Sequence, residues 1–146
     1  MEVAAFDELT VAPHSAEVRR ASDWLDTVCP PRGVPLASVD RLLVSLHEVL
    51  ANVIAHSGAA ADSSPVGLRL DVVCHADGGQ AGVTVSDTGH AFNPLNVAPS
   101  QPAQTLDQAA VGGRGLLMIR SFSDWLAYDH VDGRNQLTFG VRWGPM

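Results

Sequence analysis

Residues 46–58 read LHEVLANVIAHSG. Apolar residues recur through this run at the spacing of an α-helix, yet Glu48, Asn52 and His56 also return at every fourth place. At 100° per residue a step of four advances about 40°, so the three polar groups line one ribbon beside the apolar stripe. Asn is a poor helix-interior residue because its amide competes for backbone hydrogen bonds. A solvated helix edge with a histidine in its last turn accounts for the spacing. So does a ribbon built for chemistry. Asn52 offers a neutral amide oxygen suited to Mg²⁺ beside phosphate oxygens. Glu48, one turn earlier, offers a carboxylate that can orient a hydroxyl and accept its proton. His47-Glu48 is not the start of an H-E-x-x-H zinc motif, since position 51 is Ala.

Outward from this run, Val39, Leu42, Leu43, Leu46, Val49, Leu50, Val53 and Ile54 make one continuous stripe. Ser38 is the expected N-cap, Asp40 sits in the first turn, and Gly58 fits just past the end. Upstream, Val18, Ala21, Trp24, Leu25 and Val28 predict a helix over 15–28 that Pro30 and Pro31 end. Val3–Val11 reads as an extended start. Downstream the period changes to two. Val66, Leu68, Leu70, Val72 and Cys74 share one face, Asp77-Gly78-Gly79 is a turn signal, and residues 81–87 supply the hairpin partner. Residues 93–111, rich in Pro, Gln and Ala, show no sustained period and suit a lid-like loop. A short helix over 113–122 follows, then a second hairpin, 125–131 with 135–143, around Asp132-Gly133. Strand pairs joined by turns favour an antiparallel or mixed sheet with helices on one face. The expectation is a two-layer α+β sandwich, one domain over residues 1–146.

Net charge is −7, which argues against a binder of long nucleic acid, where a basic face is needed to release counterions. All nine basic side chains are Arg, so Schiff-base lysines and a Walker A loop are excluded. Two distant cysteines make no disulfide framework. No apolar run approaches the ~20 residues that span a bilayer, and no signal pattern opens the chain. These features point to a soluble cytoplasmic protein.

Two further clusters accompany the helix. In VTVSDTGHAFNP (83–94), alternation sends Asp87 to the same face as Val83 and Val85. A carboxylate aimed at the core side needs donors. The exocyclic amine of a purine would serve, with Gly89 letting a flat ring approach the backbone, although an Asx-type turn ending a strand gives the same letters. In AVGGRGLLMIRSF (110–122), Gly112, Gly113 and Gly115 precede a helix whose first N–H groups attract anions, and Arg114 could add a charged contact to phosphate. A glycine-rich hinge is the competing account.

In combination and in this order, E-x-x-x-N-x-x-x-H in a helix, D-x-G after a strand and G-G-R-G-L before a helix resemble the GHKL superfamily. This is the Bergerat-type ATP-binding fold of histidine kinases and DNA gyrase. Helix 39–57 is similar to its N box, 83–94 to its first glycine box and 112–122 to its second. GGRGLLMIRSFSDWLAY is similar to the second box and following strand of the stand-alone anti-sigma-factor serine kinases of bacterial partner switching. The resemblance implies that Asn52 holds the Mg²⁺ bridging ATP phosphates and that Glu48 is the general base. It implies that Asp87 accepts from the adenine amine with Gly89 beneath the ring, and that Gly112, Gly113, Arg114, Gly115 and Leu116 wrap the phosphates. Two positions depart from the pattern. Ala91 replaces a second Gly often found in the first box, and Asn135 stands nearest to where the family commonly places Gly-Thr before its last strand. On the face of Leu137 and Phe139, Asn135 could still reach the ring.

The function implied is an ATP-dependent protein serine kinase. It would phosphorylate a serine of a STAS-domain anti-anti-sigma partner and alternately hold a sigma factor. The resemblance also allows dimerisation through the N-terminal segment. An alternative is a nucleotide-gated binding module with little turnover. A detached histidine-kinase catalytic domain fits less well, because it would require a separate phosphoacceptor helix.

Overall fold

A computed structural model describes residues 2–56, 64–88 and 114–145. Five strands form one sheet: β1 (Val3–Val11), β2 (Val66–His75), β3 (Gly78–Asp87), β4 (Trp125–Val131) and β5 (Arg134–Trp143), in the order β1-β2-β3-β5-β4. Every pairing is antiparallel. Three α-helices accompany them: α1 (Val18–Val28), α2 (Leu36–His56) and α3 (Arg114–Phe122). This is the α+β sandwich expected from the change of period.

The alternation read from the strands is the alternation of burial. Val66, Leu68, Leu70 and Val72 of β2, Ala81, Val83 and Val85 of β3, and Leu137, Phe139 and Val141 of β5 are all buried on one face. Helical residues close that face: Ala21 and Leu25 from α1, Val39, Leu42, Leu46, Val49 and Leu50 from α2, and Ile119 from α3. On the other face Trp125 lies flat across its neighbour on β5. A Cβ added at Gly140 would stand 2.0 Å from the indole ring, so this close approach requires glycine. Arg142 stacks over the same indole, 4.7 Å from its centroid.

The second hairpin turns at Asp132-Gly133 as expected, both at positive φ (53° and 75°), the conformation that matches the twist of paired strands. Two local expectations are corrected. The first hairpin turns at residues 76–77, and Gly78 and Gly79 already belong to β3. α2 begins at Leu36, and Ser38 is a buried residue of its first turn rather than the cap. The Pro35 carbonyl takes the N-cap's part by accepting from the N–H groups of Ser38 and Val39, each at 2.9 Å. Among the described residues no helix is long and apolar enough to cross a membrane.

Candidate nucleotide site

α2 is held on two sides. His47 meets Ser22 of α1, Nε2 to Oγ at 2.6 Å, while Ser22 donates to the Val18 carbonyl. On a different flank, Arg41, Ser45, Glu48 and Asn52 follow one another at steps of four, three and four, so they share one side of the helix. Arg41 donates to Asp124 at 3.1 Å, and Ser45 meets Ser123 at 3.2 Å. Ser123 and Asp124 follow α3 directly, and α3 packs along α2. The flank bearing Glu48 and Asn52 is therefore the one turned toward α3.

Glu48 and Asn52 are both half-buried. Among the described residues neither makes a hydrogen bond or ion pair, whereas Arg41, Ser45 and His47 on the same helix all do. Their polar atoms are open to water, since no buried side-chain nitrogen or oxygen among the described residues lacks a partner. The side chain of His56 lies outside the described residues.

The C-terminal half of α2 lies over one end of the sheet. Leu50, Val53 and Ile54 share a small cavity with Val11 at the end of β1 and Val66 at the start of β2. At that same end Gly67 pairs with Ser86, Asp87 with Asn135, and Asn135 with His130. Asp87 and Asn135 thus belong to the sheet end on which Leu50, Val53 and Ile54 of α2 lie. Asn135 is buried, 7% exposed, as its place beside Leu137 and Phe139 predicts. Its amide Nδ2 donates to Asp87 Oδ1 at 3.2 Å, and its Oδ1 accepts from the Tyr128 hydroxyl.

Arg134 braces this end from the opposite face. Its guanidinium donates to Ser86 Oγ at 2.7 Å, to the Ser86 carbonyl at 3.0 Å and to the Pro65 carbonyl at 3.4 Å. The start of β2, the end of β3 and the start of β5 are thereby tied beside Asp87. Neither Arg134 nor Tyr128 was singled out by sequence. Alternation along β4 does put Tyr128 on the inward face with Leu126, but only strand register brings it to Asn135.

Gly89, Gly112 and Gly113, and the expected lid over 93–111, lie outside the described residues. Arg114, Gly115 and Leu116 form the first turn of α3, within the helix expected over 113–122. Of the two cysteines, Cys29 is fully buried, and burial first, then the charges of Asp26 and Asp7, push its thiol up to about 12. It stays a neutral core side chain and no nucleophile.

A metal has no ready-made cage here: among the described residues no group of three or more His, Cys, Asp or Glu could hold one. Mg²⁺ needs none, because it keeps waters and phosphate oxygens and takes one or two protein oxygens. The unengaged amide of Asn52 beside the carboxylate of Glu48 fits that demand.

A family model described as the histidine kinase-like ATPase domain matches residues 11–141. The chain belongs to this family. With that membership comes the GHKL superfamily, ATP binding and, at a coarse level, kinase-like function. The serine/threonine-protein kinase BtrW of Bordetella bronchiseptica is similar, 29% identical over 104 residues that span 71% of this chain and 70% of that protein.

Proposed function

We propose that this ATPase-family chain is a Mg²⁺- and ATP-dependent protein serine kinase that acts as a switch protein and anti-sigma factor. Its substrate is a serine on a STAS-domain anti-anti-sigma partner, and a sigma factor is its alternate partner. The observation that carries the proposal is the pair Glu48 and Asn52. They are half-buried, unengaged among the described residues, and set on the flank of α2 turned toward α3. The likeness to a serine/threonine kinase supports the choice of acceptor.

In this reading Asp87 accepts from the adenine amine, with Asn135 beside it. Asn52 holds Mg²⁺, which when bound neutralises charge on the phosphate oxygens. Nine helical residues of α3 cover about 13 Å, the length of α2 from Ser45 to about residue 53. With its C-terminal end tied at Ser45, that length suits delivery of Arg114 and the first N–H groups of α3 to the phosphates. Glu48 orients the partner's serine hydroxyl and takes its proton. The Oγ–phosphorus bond forms as the bond from the γ-phosphorus to the bridging oxygen breaks, and ADP leaves.

The test is a transfer assay with purified STAS-domain proteins of the same organism, paired with calorimetry for Mg-ATP. Transfer should give an acid-stable phosphoserine, and Glu48→Gln should abolish it while sparing ATP binding. Glu48→Gln with unchanged transfer would remove Glu48 as the base. ATP binding that releases a partner with no transfer from the unaltered chain would replace the kinase by a nucleotide-gated binding module.

A further inference from the structure

β3 ends at Asp87, and its two neighbours do not follow it equally far. On the β5 side the ladder runs to Asp87 itself, paired with Asn135. On the β2 side it stops one residue earlier, at Gly67 and Ser86. Arg134 closes that gap from the face of the sheet away from the helices. Its Nε donates to Ser86 Oγ at 2.7 Å and its Nη2 to the Ser86 carbonyl at 3.0 Å, so one planar guanidinium holds two oxygens of one residue. Nη2 also reaches the carbonyl of Pro65, the residue that leads into β2, at 3.4 Å. The Ser86 carbonyl and the Asp87 N–H belong to one rigid peptide plane. Fixing that oxygen fixes where the Asp87 backbone sits relative to β2, whatever its carboxylate meets. Asn135 acts on the other side, through the carboxylate and the β5 ladder.

We propose that Arg134 is a positioning residue for the nucleotide base, holding the end of β3 so that the Asp87 carboxylate stands where a 6-amino purine meets it. The inference rests on the nucleotide site proposed above and adds a residue that acts from the far side of the sheet. A strand end tied on both sides cannot fray without breaking both ties. Without the guanidinium, the last peptide of β3 is held from the β5 side alone. It then samples positions in which carboxylate and amine part, and these cost affinity only for a base that carries the amine. Glu48 and Asn52 belong to α2, which Arg134 does not brace, so metal and phosphate contacts are spared.

The experiment compares ATP with the triphosphate of purine riboside, the same nucleotide without the 6-amine, by calorimetry on the full chain with Mg²⁺. Removing the amine from the ligand and the guanidinium from the protein makes a cycle whose coupling isolates what Arg134 does through Asp87. The unaltered chain should bind ATP about 10-fold or more tighter, the worth of a hydrogen bond to a charged group. Arg134→Met keeps the length of the side chain and removes its donors. It should weaken ATP about 3- to 10-fold and leave the amine-free nucleotide nearly unchanged. In the transfer assay KM for ATP should rise while kcat at saturation stays. Arg134→Lys keeps a donor and loses the fork, so it should show the same selectivity with a smaller loss and less disturbance of the fold. Equal weakening of both nucleotides by these variants, or of neither, overturns the role of Arg134 and leaves the nucleotide site standing. ATP bound no tighter than the amine-free nucleotide by the unaltered chain removes the Asp87 contact and the inference with it. Failure of that chain to bind either nucleotide overturns the site and the inference together.

Discussion

One flank of α2 carries two kinds of polar residue. In its N-terminal half Arg41 and Ser45 are tied to Asp124 and Ser123, and Asp124 reaches onward to the backbone N–H of Arg142 at 2.6 Å. In its C-terminal half Glu48 and Asn52 are half-buried, as Arg41 is, and engaged with nothing among the described residues. Arg41, Glu48 and Asn52 share helix, flank and intermediate burial, while Ser45 is fully buried, so between Arg41 and the second pair neither secondary structure nor exposure explains the difference. The first pair fixes the helix to the segment after α3. The second keeps its hydrogen-bonding groups open to solvent and to a ligand.

The contrast predicts opposite consequences for substitutions one or two turns apart. Glu48→Gln should cut phosphoryl transfer by about 10²–10⁴-fold, the usual worth of a positioned general base. Its effect on unfolding in urea should stay within about 0.5 kcal/mol, since no contact is lost. Asn52→Ala should weaken Mg-ATP by roughly 10-fold or more, judged from what metal-site partners are worth. Its thermal midpoint without nucleotide should match or slightly exceed that of the unaltered chain, since Ala is the better helix former. A large loss of stability from either change would mean that these residues are structural after all, and the comparison would fail at its stronger end.

How much of this could be read from the letters depends on whether a feature is local. The α2 stripe, the strand alternation and the Asp132-Gly133 turn are local and were legible. The first hairpin was misread because Gly78 and Gly79 look like turn residues, whereas they are small for a distant reason. A Cβ at Gly78 would meet the Trp143 carbonyl at 2.2 Å, and one at Gly79 would meet the Trp143 ring at 2.5 Å. Ser38 is a good capping residue in the wrong place, since a carbonyl from Pro35 already serves. Of the proposed site, Glu48, Asn52 and Asp87 stand out in the sequence by spacing and face, and Asn135 enters only through the resemblance. Tyr128 does not stand out, because its meeting with Asn135 needs the register of β4 on β5, a diagonal contact that no window of sequence reports.

The tied half of the flank should answer to different measurements. Asp124 accepts from Arg41 and from the Arg142 N–H, and its own N–H donates to the Gly140 carbonyl at 2.7 Å. Asp124→Ala removes the side-chain bonds at a site open to water on one side. The expected loss is about 1 kcal/mol, a fall of about 2–4 °C in Tm, with the affinity for Mg-ATP unchanged. A drop in affinity without loss of stability would place Asp124 on the functional side of the divide.

The smallest effect is also the most specific to the tied half, because it depends on pH. Partial burial pushes the Asp124 carboxyl up, but the hydrogen bonds from Arg41 and Arg142, with their charges, outweigh it and hold the group below its ordinary value. A carboxyl depressed in the folded chain contributes stability that is fully present above its unfolded value, about 4. That contribution is lost as pH falls through the lower folded value, where the folded protein takes up its proton. Thermal unfolding of the unaltered chain and Asp124→Asn from pH 7 to pH 3 should therefore show a gap that is constant down to about pH 4 and narrows below it. Asn keeps the size and an acceptor oxygen at this position, so packing and most of the hydrogen bonding survive. Narrowing of the gap then reports the charge that couples Asp124 to Arg41. A gap that stays constant through the acid range would show that geometry alone fastens this half of the flank. The tied and untied halves would then differ in having partners, with no contribution from ionic pairing.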